Sequence, residues 1–163
     1  MGNVFFISDT HFQHKNVLKY EAEFRNFSSI EEHDEFLIEN WNRTVNKKDK
    51  VFHLGDFAFK DLSIADRLNG LKTLILGNHD KFKPIEYSKY FHEIHGVLSY
   101  KGFVLSHCPV HESDSCLRHG MKNIHGHLHS KDMDDPRYIN VSAEAINLTP
   151  ISFDEIVKIN RQC

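Results

Sequence analysis

The sequence predicts an α/β protein on the strength of two recurring features. Short apolar runs of strand length alternate along the chain with segments of helical periodicity. Each apolar run also ends in polar residues that can bind metals or carry protons. Because open α/β sheets bind their ligands beyond the carboxyl ends of the strands, we expect the functional site at that edge.

The predicted strands are rich in β-branched and aromatic residues, as buried strands usually are. They are residues 4–7, 51–54, 73–76, 103–105 and a run that ends at Ile124. In the second half of the chain, residues 93–105 and 123–153 alternate apolar and polar positions between turns. This alternation predicts a second sheet that is more antiparallel than the first.

The longest predicted helix is indicated by a cap and an apolar stripe. A serine at position 28 or 29 followed by two glutamates is typical of a helix start. Leu37, Trp41 and Val45 then recur at four-residue steps and share one helix face. Shorter helices are predicted over residues 62–69, 84–92 and 153–160.

Length and composition are those of an ordinary globular protein, with one domain expected over residues 1–163. Hydrophobic residues make up 40% and charged residues 26%, and the formal net charge is −3. This balance gives no general attraction to nucleic acid or to an anionic membrane. No apolar stretch reaches the roughly 18 residues that a membrane span needs, and the run at 4–7 is too short for a signal peptide.

Cysteine usage predicts a cytoplasmic protein with reduced thiols. The cysteines are Cys108, Cys116 and Cys163, an odd number without a C-x-x-C pair. Cys108 follows a candidate metal ligand directly, although most cysteines are packing residues.

Five short segments carry side chains that could bind metal ions. They are Asp9-x-His11, Gly55-Asp56, Gly77-Asn78-His79-Asp80, His107 and Gly126-His127-x-His129. Carboxylate oxygen, imidazole nitrogen and amide oxygen together suit divalent ions such as Mn, Fe, Zn or Ni. Residues i and i+2 of an extended chain point to the same side, so each D-x-H or H-x-H pair can face one site. Seven such donors are too many for one structural zinc but suit two metals that share a carboxylate.

In this order the five segments resemble the calcineurin-like metallophosphoesterases, whose pattern is D-x-H, G-D, G-N-H-(D/E), a lone His and G-H-x-H. The matching positions run from Asp9 to His129 and cover most of the chain. The D-T-H-F-x-H-x-N stretch at residues 9–16 is similar to small bacterial and phage members without a cap domain. The resemblance implies a two-sheet sandwich flanked by helices, an α/β/β/α arrangement.

The resemblance also implies a dinuclear centre with a role for each matching residue. Asp9, His11 and His129 would hold one divalent metal ion, Asn78, His107 and His127 would hold the other, and Asp56 would bridge both. Mn²⁺ is the ion expected first, and Fe, Zn, Ni or Co would also fit. The two ions would activate the attacking water and neutralise the charge of the phosphate.

Two further residues of the matching pattern would be catalytic. His79 would contact the substrate phosphate and protonate the leaving oxygen, which contributes about 10²–10⁴-fold to a rate. Asp80 would orient or polarise His79. No serine or cysteine nucleophile is required, because the attacking group is water.

Several residues outside the pattern are weaker candidates. His14 and Arg118 could contact the substrate, and so could His119, Arg25 and Lys81, although solvated loops or helix ends explain these positions as well. His53 and His125 lie inside strand-like runs, so we expect them to support the ligand-bearing turns from the core.

The function expected from these features is hydrolysis of phosphate esters. Because the chain has no length to spare for a large cap, an open site is expected, which favours a phosphodiesterase acting on nucleotide-like or small diester substrates. A phosphomonoesterase or a nuclease could use the same site. A catalytically silent protein-binding module is a further alternative, but the full set of donors and His79 argue against it. Neither a protein partner nor an oligomeric state is indicated.

Overall fold

The computed structural model describes residues 2–162, which form two mixed β-sheets with flanking helices. The strands of the first sheet are β1 Val4–Ile7, β2 Lys50–His53, β3 Leu71–Ile75, β4 Glu93–His95 and β9 Ile151–Ser152. They lie in the order β4-β3-β2-β1-β9. β1 to β4 run parallel, and β9 pairs antiparallel with β1 at the edge. The predicted α/β class is confirmed.

The second sheet is mixed. One of its three strand pairings is antiparallel, against one of four in the first sheet, so it is more antiparallel than the first, as predicted, but only through its first hairpin. Its strands are β5 Val97–Tyr100, β6 Phe103–Ser106, β7 Lys122–His125 and β8 Tyr138–Asn140, in that order across the sheet. Only the hairpin pair β5–β6 is antiparallel, whereas β6–β7 and β7–β8 are parallel. Residues 107–121 and 126–137 are long enough to cross back to the starting edge, as parallel pairing requires.

Helices lie against the sheets, and only two of the α-helices are long. The α-helices are α1 Val17–Tyr20, α2 Ile30–Thr44, α3 Pro84–Tyr87, α4 Ser115–Arg118 and α5 Phe153–Gln162, and 3-10 helices cover Leu62–Arg67 and Ala143–Ile146. α2 begins at the predicted cap, where the Ser29 hydroxyl accepts a hydrogen bond from the Glu32 amide. Within residues 2–162, no helix is long and apolar enough to cross a membrane.

Two predicted helices are shorter than expected. The segment predicted over 62–69 is a 3-10 helix that ends at Arg67, because the chain turns at Gly70, whose φ is +91°, to enter β3. The helix predicted over 84–92 ends at Tyr87. Residues 88–90 continue as turns, the Phe91 amide still donates to the Tyr87 carbonyl, and the His92 amide then donates to the Lys72 carbonyl of β3.

The first sheet is buried on both faces, as the alternation of β1 shows. Phe5 and Ile7 face a core that α2 completes with Trp41. Phe6, between them, faces the core shared with the second sheet, where it packs in one cluster with Ile124 of β7. Successive side chains of a strand point to opposite faces, so one strand supplies both cores. This arrangement confirms the expected two-sheet sandwich flanked by helices.

His53 is a fully buried histidine that links this core to the edge of the sheet. Its Nε2 lies 3.0 Å from the Thr10 hydroxyl, and that hydroxyl donates its own proton to the Phe57 carbonyl at 2.9 Å. His53 must therefore donate from Nε2, which leaves Nδ1 to accept from the Gly55 amide at 3.3 Å. Burial lowers the pKa of His53 to about 4, so the ring is neutral at pH 7.

We expect His53 to make the metal-free protein sensitive to mild acid. Between pH 6.5 and 4 the unfolded chain binds a proton on this ring and the folded chain does not, so stability falls as the pH falls. One such proton gives a slope of about 1.4 kcal/mol per pH unit in the free energy of unfolding. Urea unfolding at several pH values should show a shallower slope in His53→Gln, and equal slopes would contradict the assignment.

Candidate metal centre

All five predicted segments meet at the carboxyl edge of the parallel strands, on turns that are hydrogen-bonded to one another. The Asp9 amide donates to the Gly55 carbonyl at 3.0 Å, and the His11 amide donates to the Asp56 carbonyl at 3.0 Å. The Gly126 amide donates to the His107 carbonyl at 2.9 Å, which joins the last two segments. Backbone contacts therefore join the first two segments and the last two, and the carboxylates of Asp56 and Asp80 hold the 77–80 segment against them.

The backbone of the centre is unusual, because most of its predicted ligands adopt positive φ angles. The values are 55° for Asp9, 49° for His11, 56° for Asp56, 69° for His127 and 52° for His129. Residues other than glycine rarely adopt this left-handed conformation, although aspartate and histidine tolerate it better than most. Such backbone strain clusters at functional sites, where the surrounding structure holds it in place.

The first half of the centre contains buried polar atoms that lack partners within the described chain. Asp9 Oδ1 lies 3.7 Å from His11 Nε2 and 3.9 Å from His129 Nε2. Neither Asp9 Oδ1 nor either ring nitrogen of His11 has a hydrogen-bond partner among residues 2–162. Asp9 Oδ2, in contrast, accepts from the His127 amide at 2.8 Å and the Ser142 hydroxyl at 3.0 Å. Since buried polar atoms are nearly always satisfied, this arrangement fits a bound cation.

In the second half of the centre, atoms that can bind a metal ion lie within 3.3 Å of His107 Nε2. His107 Nδ1 donates to the Leu54 carbonyl at 2.8 Å, which leaves a lone pair on Nε2. That Nε2 lies 2.8 Å from Asn78 Oδ1 and 3.3 Å from His127 Nδ1. A cation bound between these atoms would satisfy them together. The donor set, imidazole with amide and carboxylate oxygen, is one that Mn, Fe, Zn, Ni and Co accept.

Asp56 lies between the two halves. Its Oδ2 is 3.7 Å from His11 Nε2 in the first half and 3.5 Å from His107 Nε2 in the second. Its Oδ1 accepts from the His79 amide at 2.8 Å. The carboxylate is almost completely buried, so its free oxygen can only meet a cation or these rings.

Asp9 is held in its charged form. Burial raises the pKa of its carboxyl, but the neighbouring histidines His11, His107 and His129 outweigh burial and hold the pKa well below its usual range. A carboxylate binds metal only when it is deprotonated, so Asp9 is ready to do so at neutral pH.

His79 is exposed at the rim of the centre. Its ring centroid lies 5.9 Å from that of His11 and 5.7 Å from that of Phe59. The backbone of His79 is fixed by its bond to Asp56, while the ring faces the opening. This placement is compatible with the predicted contact to a substrate phosphate.

Asp80 does not make the predicted contact with His79. Its Oδ2 accepts from the Asp56 and Gly77 amides, both at 2.8 Å, and its Oδ1 accepts from the Phe57 amide at 3.0 Å. No hydrogen bond to the His79 ring is present among the described residues. The carboxylate is occupied because the 77–80 turn folds back over the Gly55-Asp56 turn, so Asp80 ties two ligand-bearing turns together.

His14 lies beside the centre, and Arg118 is not joined to it. The His14 ring centroid is 5.4 Å from that of His11, and the ring stacks on Phe59 at 3.9 Å and 3°. Burial lowers the pKa of His14 to about 4, so its ring is neutral. Arg118 is exposed at the end of α4, and within residues 2–162 no hydrogen bond or ion pair connects it to the predicted ligands.

Arg25, His125 and Cys108 were also singled out by the sequence, and the structure shows where each of them lies. Arg25 is completely buried, so the weak prediction that it contacts a substrate phosphate is wrong. It instead bonds Glu144, a residue that no sequence pattern singled out. His125 is buried behind the Gly126 turn, in the supporting position expected for it. Cys108 is an exposed free thiol, and Cys163 lies outside the described residues.

Comparison with known proteins identifies the family. The family model for calcineurin-like phosphoesterases matches residues 2–160, nearly the whole chain. The chain belongs to this family. Members of the family act on phosphate esters and generally bind divalent metal ions, in agreement with the clusters of Asp and His described above.

Similar proteins occur in an archaeon, in phages and in a bacterium. The uncharacterized protein MJ1445 of Methanocaldococcus jannaschii is 40% identical, over 98% of this chain and 92% of its own length. The gene 66 protein of Mycobacterium phage D29 is 30% identical over 89% of each chain. The crystal structure of AQ665 from Aquifex aeolicus, a protein of unknown function, superposes with a TM-score of 0.76. It is 29% identical, over 98% of this chain and 100% of that one.

We expect that a side chain at position 126 would disturb the ligands of this centre. A Cβ at this position would collide with Ser8 Oγ and Asp9 Oδ2. Gly126→Ala should therefore displace the Asp9 carboxylate and weaken Mn²⁺ binding at least about 10-fold, the size of effect seen when support of a metal ligand is lost. Isothermal titration with Mn²⁺ measures this change. Gly96→Ala is the matched control, since a Cβ there meets no atom within 4 Å, and equal affinities in both variants would contradict the expectation.

Proposed function

We propose that the chain is a phosphodiesterase that uses two divalent metal ions and acts on nucleotide-like or small diester substrates. The observation that carries the proposal is the set of buried oxygen and nitrogen atoms without partners, Asp9 Oδ1 and the His11 ring nitrogens, around a shared Asp56. An exposed histidine, His79, stands beside this set. Family membership supports a phosphoesterase, and these atoms support its dependence on metal.

The proposed ligands divide into two sets around Asp56. The first ion would be held by Asp9, His11 and His129, the second by Asn78, His107 and His127, and Asp56 would contact both. Mn²⁺ is proposed as the ion of choice, and Fe, Zn, Ni or Co suit the same donors. When bound, the two ions would supply an activated water and neutralise negative charge on the phosphate.

His79 would act as the general acid. Its amide donates to Asp56 Oδ1, so the backbone that carries the ring is held against the carboxylate shared by the two sets. An exposed ring in this position can donate a proton to the leaving oxygen of a diester bound across the centre. Asp80 would contribute indirectly, because it holds the Asp56 and Gly77 turns in place.

A row of aromatic rings supports a substrate with an aryl group or a nucleobase. Phe59 lies beside the rings of His11 and His79, with centroids 5.4 and 5.7 Å away, and His14 stacks on it. Tyr20 follows with its ring 6.4 Å from His14, and 73% of it is exposed to solvent. A flat group attached to the phosphate could lie along this row, where stacking contributes about 1–3 kcal/mol per base.

Metal-supplemented hydrolysis of a substrate panel tests the proposal. The panel contains an aryl phosphodiester, an aryl phosphomonoester, 2′,3′- and 3′,5′-cyclic nucleotides and single-stranded DNA. With Mn²⁺ we expect turnover of diesters, a loss of about 10²–10⁴-fold in His79→Ala, and no turnover in Asp56→Ala.

The controls separate the alternatives. Hydrolysis of the monoester or of DNA alone would replace the diester proposal with a phosphomonoesterase or a nuclease. An inactive protein that still binds two Mn²⁺ ions would contradict the proposed reaction for these substrate classes.

The aromatic row predicts a selective effect of Tyr20→Leu. The KM for nucleotide or aryl diesters should rise about 5-fold or more, as expected for a lost stacking contact, while the KM for a dialkyl diester stays unchanged. Phe36→Leu is the control, because this half-exposed ring contacts Phe27 and not the row. Equal changes in KM for aryl and alkyl diesters would show that the row does not bind the substrate.

A further inference from the structure

Arg25 is a completely buried arginine whose donors converge on the first half of the metal centre. Its Nε donates to Glu144 Oε1 at 2.6 Å. Its Nη1 donates to the Thr10 carbonyl at 2.9 Å, and its Nη2 donates to the Asp9 carbonyl at 2.5 Å. The guanidinium thus donates to the backbone carbonyls of Asp9 and Thr10, the two residues of the D-x-H turn that precede His11.

Glu144 connects Arg25 to His129, another predicted ligand of the first half of the centre. Its Oε1 also lies 3.0 Å from His129 Nδ1, and the Glu144 side chain has no exposure to solvent. The buried Glu144 carboxylate is paired with the Arg25 guanidinium, so its oxygens can only accept hydrogen bonds. Glu144 Oε1 therefore accepts a hydrogen bond from His129 Nδ1–H, which leaves the lone pair of Nε2 facing Asp9.

The ion pair joins parts of the chain that are far apart in sequence. Arg25 follows α1, whereas Glu144 lies 119 residues later in the 3-10 helix after β8. Removing two charges from water is costly, and apolar residues of similar volume often stabilise a fold as well or better. A stabilising role alone therefore does not explain why a charged pair occupies this place.

We propose that Arg25 and Glu144 are positioning residues for the first metal ion. They fix the Nδ1–H tautomer of His129 and the left-handed turn that carries Asp9 and His11. The inference rests on the proposed dinuclear function. It predicts an asymmetry, because in the second half His107 is oriented by the Leu54 carbonyl and not by this pair.

The first measurement uses metal-free protein with ¹⁵N-labelled histidine at alkaline pH, where each imidazole carries a single proton. Imidazole ¹⁵N shifts distinguish the two tautomers, and wild-type His129 should be protonated at Nδ1. In Glu144→Gln the tautomers should mix, while His107 keeps its proton on Nδ1. A His129 ring that holds the same tautomer in both proteins would overturn the proposal, whatever the protein's activity.

The second measurement is a Mn²⁺ titration followed by electron paramagnetic resonance of the free ion. Loss of the support of a ligand histidine costs about 10–100-fold in metal affinity, so Glu144→Gln and Arg25→Lys should weaken one of two bound ions by that factor. With diamagnetic Zn²⁺ in place of Mn²⁺, the remaining ion should shift the imidazole ¹⁵N signals of His107 and not those of His129. Equal weakening of both ions, or of neither, would overturn the proposal.

Two further variants separate positioning from folding. Asp49→Asn removes another carboxylate that accepts backbone hydrogen bonds, at the opposite end of β2, and should leave both ions bound. If Glu144→Gln does not fold, the double variant Arg25→Met with Glu144→Leu decides, since an apolar pair avoids an unpaired buried charge. That folded variant should lose the first ion selectively. Failure of wild type to bind two ions would instead contradict the proposed function, and the tautomer measurement would still decide the role of the pair.

Discussion

The Asp56 carboxylate and its backbone hold the centre together. The Asp56 amide donates to Asp80, its carbonyl accepts from the His11 amide, and its Oδ1 accepts from the His79 amide. Only Oδ2 is left for the space between His11 and His107. One residue therefore sets the spacing of the two halves and the position of the exposed histidine, so a change at Asp56 alters all of them together.

Close backbone approach makes this arrangement possible and restricts the sequence around it. A Cβ at Gly77 would collide with Asp56 Oδ1, and one at Gly126 would collide with Asp9 Oδ2. Both glycines lie where a carboxylate must pass the neighbouring turn. The glycines of the G-N-H-D and G-H-x-H segments thus serve packing around the predicted ligands, which explains why they recur beside them in the sequence.

Features set by residues that are close together in the sequence could be predicted, whereas features that depend on residues far apart in the sequence could not. The strand ends, the cap of α2 and the five segments are local patterns, and they lie where expected. The direction of β7 and β8 depends on long connections, which carry no local signal. Asp80 was expected to contact its sequence neighbour His79, but the turn directs its carboxylate to Asp56. The Arg25–Glu144 pair could not be found, because nothing near either residue in sequence points to the other.

The residues of the centre fall into a buried group and a group that is exposed to solvent. Asp9, His11, Asp56 and His107 are buried and receive hydrogen bonds or close contacts from fixed backbone, so they cannot rearrange when a substrate arrives. Asn78, His79 and His127 are exposed at the opening. Buried carboxylates below an exposed rim place negative charge where water screens it little. The fold thereby combines fixed, buried donors suited to cations with an exposed ring, His79, at the opening, an arrangement that suits the proposed hydrolysis of a phosphate ester.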